Sequence, residues 1–273
     1  MDAVAQWIGE HAVAVFLAAL AALLAVWFGL WRLFERYEDH WWQALAFVGR
    51  HIAAYRYLSL HLLAGLAVCF GAVFAFGSVA EEILEPEDWD AFDRALAVAL
   101  NRHATPLGVD VLGAITLLGD KWLIAAIAVA GGLGLALRRR RLLLAGWWAA
   151  LAGGALLNLA LKAAFQRARP EFETPLATAL GWSFPSGHAM GAMVAYGMLT
   201  YLLVLRFGRA PAPFIVAAGS ALVLAVGFSR IYLGVHYFSD VVGGYLSGIA
   251  WLAVCVSAME IARRHARRNG RDN

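Results

Sequence analysis

Charge is scarce in this chain: 15% of its 273 residues are Asp, Glu, Lys or Arg, where a soluble domain carries about a quarter. That shortage, with 62% hydrophobic residues and a mean hydropathy of +0.67, excludes an ordinary water-soluble globule and points to membrane spans. Cysteine is scarcer still. Cys69 and Cys255 both sit inside apolar runs, which excludes a disulfide framework or a cysteine-ligated metal and leaves two small hydrophobes in a bundle. Nor does a basic cluster precede the first apolar run, only Asp2, Glu10 and His11. A cleaved secretory signal needs that basic flank and a shorter run, so the first run is expected to be a retained span.

A span takes about 20 mostly apolar residues. Such runs lie near 12–33, 58–80, 121–137, 142–163, 187–206, 212–229 and 239–261. They predict an all-α, polytopic membrane helix bundle of seven spans. The stretch 105–119 is a half-length apolar segment able to dip into the membrane without crossing. If the loops 34–57, 138–141 and 207–211 and the C-terminal tail share one side, that side with its span ends holds 15 of the 22 Lys+Arg. Positive charge marks the cytoplasmic face, so the N-terminus is expected outside and the C-terminus inside. The stretch 81–120, with nine Asp/Glu against Arg94 and Arg102, then lies outside. The basic tail 264–273 reads as an anchor on anionic lipid, and no nucleic-acid partner is expected.

Four of the seven remaining cations crowd span ends on that outer face: Lys162, Arg167, Arg169 and Arg230. The last four spans alternate in direction, so three polar stretches emerge together: "KAAFQRARP" (162–170), "FPSGHAMG" (184–191) and "SRIYLGVHYFSD" (229–240). They pool Lys162, Arg169, Ser186, His188, Arg230, His236 and Asp240. Arginine forks bind phosphate oxygens bidentately and lysine adds a point charge. Pro185 and Ser186 are ordinary punctuation for a helix start, but that start also offers free N–H groups to an anion, and Gly187 would let it approach. His236 and Asp240, four apart, share a helix face. Asp240 can hold one ring proton and leave the other nitrogen free to attack. His188, from another span, can protonate a leaving oxygen and then activate water. With few carboxylates expected beside the histidines, a hard divalent metal lacks ligands there. The histidines at 11, 40, 51, 61, 103 and 265 are assigned no chemistry. Two other readings stay open from these residues. One is an intramembrane serine hydrolase using Ser186; the other is a non-enzymatic phospholipid transporter or scramblase.

The three stretches resemble the tripartite signature of the type 2 phosphatidic acid phosphatase superfamily: Lys162, six residues, Arg169-Pro170; then Pro185-Ser186-Gly187-His188; then Ser229-Arg230, five residues, His236, three residues, Asp240. The resemblance covers about 58–263 as a six-span core. It leaves 1–57 as an extra N-terminal span with a cytoplasmic interfacial segment. It implies a cofactor- and metal-independent lipid phosphatase of a bacterial-type inner membrane. His236 would be the nucleophile, oriented by Asp240, and His188 the general acid. Lys162, Arg169, Ser186, Gly187 and Arg230 would hold the phosphoryl oxygens. Similar bacterial enzymes act on undecaprenyl diphosphate, phosphatidylglycerol phosphate, phosphatidic acid or lipid A phosphate. Phe172, Trp182 and Phe184 are expected to line the acyl or prenyl entrance.

Overall fold

Long runs of Ala, Leu and Val become helices in lipid because every N–H and C=O must find its partner within the chain. The computed structural model describes residues 2–38, 58–85 and 88–268. The expected interfacial segment at 39–57 and the end of the tail, 269–273, lie outside the described residues. The described residues contain helices α1 (Asp2–Glu10), α2 (Ala12–Arg36), α3 (Leu58–Leu84), α4 (Asp88–His103), α5 (Pro106–Thr116), α6 (Lys121–Leu137), α7 (Arg141–Phe165), α8 (Gly187–Phe207), α9 (Ala212–Tyr232) and α10 (Phe238–Arg268). No strand occurs among them. Six, namely α2, α7, α8, α9 and the greater part of α3 and α10, are long and apolar enough to cross a membrane.

The seventh crossing differs from expectation. α6 is only 17 residues, about 26 Å at 1.5 Å per residue, short of a hydrocarbon core of about 30 Å. The segment 106–119, expected to dip without crossing, joins α6 at a 41° bend, and the pair together is long and apolar enough for either a broken span or a re-entrant loop. Local chemistry makes the break. At the bend Asp120 caps α6 by accepting from the Trp122 N–H at 2.8 Å, while Thr105 caps the far end of α5 by accepting from the Gly108 N–H at 3.1 Å. Between them Leu117–Gly119 winds as a 3-10 turn. The Tyr196 hydroxyl donates to the Leu118 carbonyl at 2.6 Å, satisfying a backbone group that the break exposes.

α8 stands at the centre, with buried Ala189, Ala192, Val194, Ala195 and Met198 meeting neighbours on several sides. α7, α9 and α10 pack around it, and α3 lies along α10. The approach of α10 to α8 is close enough that a Cβ at Gly244 would lie 2.8 Å from the Ser186 carbonyl oxygen and 3.0 Å from the Ala189 Cβ, the small-residue contact typical of membrane helices. α2 leans on α9: Phe16 stacks on Phe228 at 4.2 Å, and Trp27 Nε1 donates to the Pro213 carbonyl at 2.9 Å. α1 turns away at His11 and packs on α4 instead.

Candidate active site

The ends of α7 and α9 and the starts of α8 and α10 meet at one end of the bundle. α7 carries Lys162 in its last turn and stops at Gln166, which is left-handed at φ 46°. The chain then runs irregularly through Arg167, Arg169 and Ser183 to Ser186, the N-cap of α8, whose hydroxyl accepts from the Ala189 N–H at 3.5 Å. α9 carries Arg230 in its last turn. A tight turn through Gly234 (φ 69°) delivers His236 to the start of α10; the Phe172 ring packs against that glycine. Two backbone bonds lock the pieces: Ser183 N–H to Arg167 C=O at 2.8 Å and Ser186 N–H to Asp240 C=O at 2.9 Å.

All of the residues expected at the site converge. Asp240, in the first turn of α10, uses Oδ2 to accept from the Tyr237 N–H (2.9 Å), the Ser183 hydroxyl (2.5 Å) and the His236 Nδ1 side (3.3 Å). The first contact satisfies a free N–H at the helix start. Ser183 Oγ also lies 3.2 Å from Nδ1. On the other side of the ring, Arg169 Nη1 donates to Nε2 at 3.0 Å. A guanidinium has no acceptor, so Nε2 must present its lone pair and Nδ1 must carry the proton. His236 is 2% exposed, and burial pushes its pKa down to about 4 against the raising pull of Asp240. The ring is therefore neutral near pH 7.

Lys162 and Arg169 hold carbonyl oxygens and Arg230 a hydroxyl, none of them a carboxylate. Lys162 Nζ donates to the carbonyls of Trp182 and Ser183. Arg169 donates to the carbonyls of Gly181 at 2.9 Å and Val235 at 2.6 Å, and burial lowers its pKa. Arg230 Nη1 donates to Thr116 Oγ1 at 2.8 Å, while its Nε is buried with no partner among the described residues. None of the three forms an ion pair among the described residues. His188, half-buried on the first turn of α8, is within electrostatic reach of Arg230, His236 and Arg169. Gly187 faces the Asn158 amide and the Lys162 stem.

One expectation changes. Phe184 does not line an entrance: it is fully buried, its ring 4.9 Å from Phe165 and 5.5 Å from Phe76, because the step into α8 wedges it between α3 and α7. Trp182 remains at the surface. Asp90, Asp93 and Asp240 all approach Arg167. They surround a cation, and among the described residues no three His, Cys, Asp or Glu converge as metal ligands. The hydroxyl touching the His–Asp pair belongs to Ser183, while Ser186 caps α8. Asp93, Ser183 and Thr116 were not singled out from the sequence, and Arg167 was counted among the crowded cations without a role. A usable signal existed only for Arg167, one of the cations crowded at a span end.

Comparison with known proteins agrees with this geometry. The PAP2 superfamily profile matches residues 141–264, which hold every expected site residue. Phosphatidylglycerophosphatase B of Bacillus subtilis (strain 168) is 31% identical over 180 residues, 65% of this chain and 88% of that protein. The crystal structure of a transmembrane PAP2-type phosphatidylglycerolphosphate phosphatase from Bacillus subtilis aligns with a TM-score of 0.64 at 29% identity, covering 71% of this chain and 96% of that one. LpxE of Aquifex aeolicus aligns with a TM-score of 0.47 at 25% identity, over 59% of this chain and 92% of its own. Six apolar helices, the three-part polar constellation and a relative matched over most of its length lead to one assignment: the chain is a membrane-integral enzyme of the PAP2 superfamily.

Proposed function

We propose that this enzyme removes the terminal phosphate of a membrane lipid through a phosphohistidine on His236, at the outer face of the membrane. Lipid-phosphate hydrolysis is the activity its relatives are named for. Nε2 of His236 attacks phosphorus, the P–O bond to the lipid breaks, and the leaving oxygen takes a proton from His188. His188 then takes a proton from water, whose oxygen attacks the same phosphorus. The P–N bond breaks and inorganic phosphate leaves. Asp240 and Ser183 keep the Nδ1 proton in place throughout. Lys162, Arg169, Arg230, the Ser186 hydroxyl and the Gly187 N–H meet the phosphoryl oxygens where charge develops.

The observation that carries this reading is the division of the His236 ring. Its proton faces a carboxylate and a hydroxyl, and its lone pair faces a cation. A serine hydrolase needs its hydroxyl and its carboxylate on opposite ring nitrogens. Here the hydroxyl beside the pair, Ser183, shares Nδ1 with Asp240, and the hydroxyl of Ser186, the nucleophile of the serine-hydrolase reading, instead accepts the Ala189 N–H. The unpartnered Arg230 Nε further supports an anion pocket, since a buried donor without an acceptor is costly.

Phosphatidylglycerol phosphate is the first substrate to test, by the names of the relatives; undecaprenyl diphosphate, phosphatidic acid and lipid A phosphate belong in the same panel. Residues 58–263 act as the phosphatase core and 1–57 as an added span and interfacial segment. The experiment is phosphate release from each lipid by the purified enzyme. His236→Ala is expected to abolish turnover while leaving phosphate-headed lipid bound. Near-normal turnover in that variant would end the phosphohistidine reading.

A further inference from the structure

We infer that Arg167, bridging Asp93 to Asp240, is a positioning residue that fixes the carboxylate behind His236 and tempers its charge; this rests on the phosphohistidine reading. Its Nη1 donates to Asp240 Oδ1 at 2.8 Å and to Ser239 Oγ at 2.6 Å. Its Nη2 donates to Asp93 Oδ2 at 3.0 Å and reaches Asp90 at 3.5 Å, and its guanidinium lies over the Tyr237 ring, 4.4 Å from the centroid. Burial alone would weaken the protonated form, but Asp240 and Asp93 outweigh it and raise its pKa. Asp93 does a second job from α4: Oδ1 accepts the Ser239 N–H at 3.1 Å and Oδ2 accepts the Ser239 hydroxyl. The free donors at the start of α10 are thus met by two carboxylates, and Arg167 sits between them.

The arrangement does more than hold the fold. Asp240 Oδ2 is fully engaged by Tyr237, Ser183 and His236, and Arg167 takes the remaining oxygen. Both oxygens are held, so the carboxylate cannot rotate, and the imidazole keeps the tautomer that leaves Nε2 free. Arg167 also draws on the charge that Asp240 would otherwise present wholly to the imidazole. The alternative is that Arg167 is a fourth phosphate ligand, but all its polar contacts go to Ser239 and to carboxylates behind the nucleophile.

The test uses the full-length enzyme with Arg167→Gln, Arg167→Lys, Asp93→Asn and the Asp93→Asn/Arg167→Gln double variant, beside His236→Ala. For Arg167→Gln, kcat is expected to fall about 10- to 100-fold, the usual weight of a group that orients a catalytic side chain. KM and vanadate inhibition should stay within about threefold, because the phosphate contacts are untouched. The acid limb of kcat/KM should move to higher pH, since Asp240 then holds the His236 proton more firmly. The other charged or titratable groups acting on that ring, Arg169, Arg230 and His188, are unchanged. Removing one member of a buried charge network can also unfold a protein. The double variant leaves no lone Asp93 carboxylate, so it should recover thermal stability yet keep the low kcat and the shifted limb. Arg167→Lys, a single point charge in place of a fork, should lose less. A folded Arg167→Gln or double variant with parental kcat and an unmoved acid limb would overturn the inference, as would a loss carried by KM and vanadate affinity. An active His236→Ala would overturn the phosphohistidine reading itself, a different result.

Discussion

An imidazole whose proton is held from behind has a single place left to react, and at His236 that place lies beside a guanidinium. Burial holds its pKa at about 4, below the ordinary value of about 6.5. The acid limb of kcat/KM is therefore expected well below that ordinary value, and a limb at about 6.5 would contradict the buried geometry. The linkage to stability has the same origin. The folded protein binds this proton less readily than the unfolded chain, so stability is expected to decline as pH falls from about 6.5 towards 4, with no contribution from this group above that window. Melting of the detergent-solubilised enzyme across that range checks the sign. Among the cations, Arg230→Gln should cost about 100-fold in turnover, the weight of one lost oxyanion donor, and weaken vanadate inhibition in parallel. EDTA should leave activity intact. The signature residues were legible because fixed spacings tie them to span ends. Arg167 and Asp93 were not, since they meet across 74 positions and Asp93 is one of nine acidic residues in its stretch.

At the scale of helices, the site depends on two close approaches. A Cβ at Gly244 would meet backbone atoms, the Ser186 oxygen at 2.8 Å and the Met190 nitrogen at 3.2 Å. Backbone cannot turn aside as a flexible side chain can, so Gly244→Ala should push the start of α10 from the start of α8. Activity should drop more than thermal stability, measured on the same preparation. At the far side of α4, a Cβ on Gly9 would lie 2.4 Å from the Ala99 Cβ. Gly9→Val should lift α1 from α4 at a cost of about 1–3 kcal/mol, as overpacking usually does; an unchanged melting temperature would show that α1 does not dock there. The long apolar helices were legible from run length alone, whereas α1 and α4, the latter inside a stretch read as a loop, were not. The bent pair was not, because the 3-10 turn at Leu117–Gly119 and the Asp120 cap divide it into pieces that each look too short.

For the whole molecule, the expected orientation rests on charge. Arg138 to Arg141, Arg206 and Arg209 lie at helix ends opposite the site, and positive charge stays inside. In a background lacking the native cysteines, a cysteine at Glu85 should react with an impermeant thiol reagent on intact cells, and one at Arg139 should not. The reverse pattern would move the site to the cytoplasmic face. The carboxylate that caps α10 from α4 carries one more consequence. Asp93 lies well before residue 141, where the family match begins, so the signature is not a transplantable cassette. A chimera carrying only 141–264 on foreign helices would retain every signature residue but leave the Ser239 N–H and one arm of Arg167 without their acceptor.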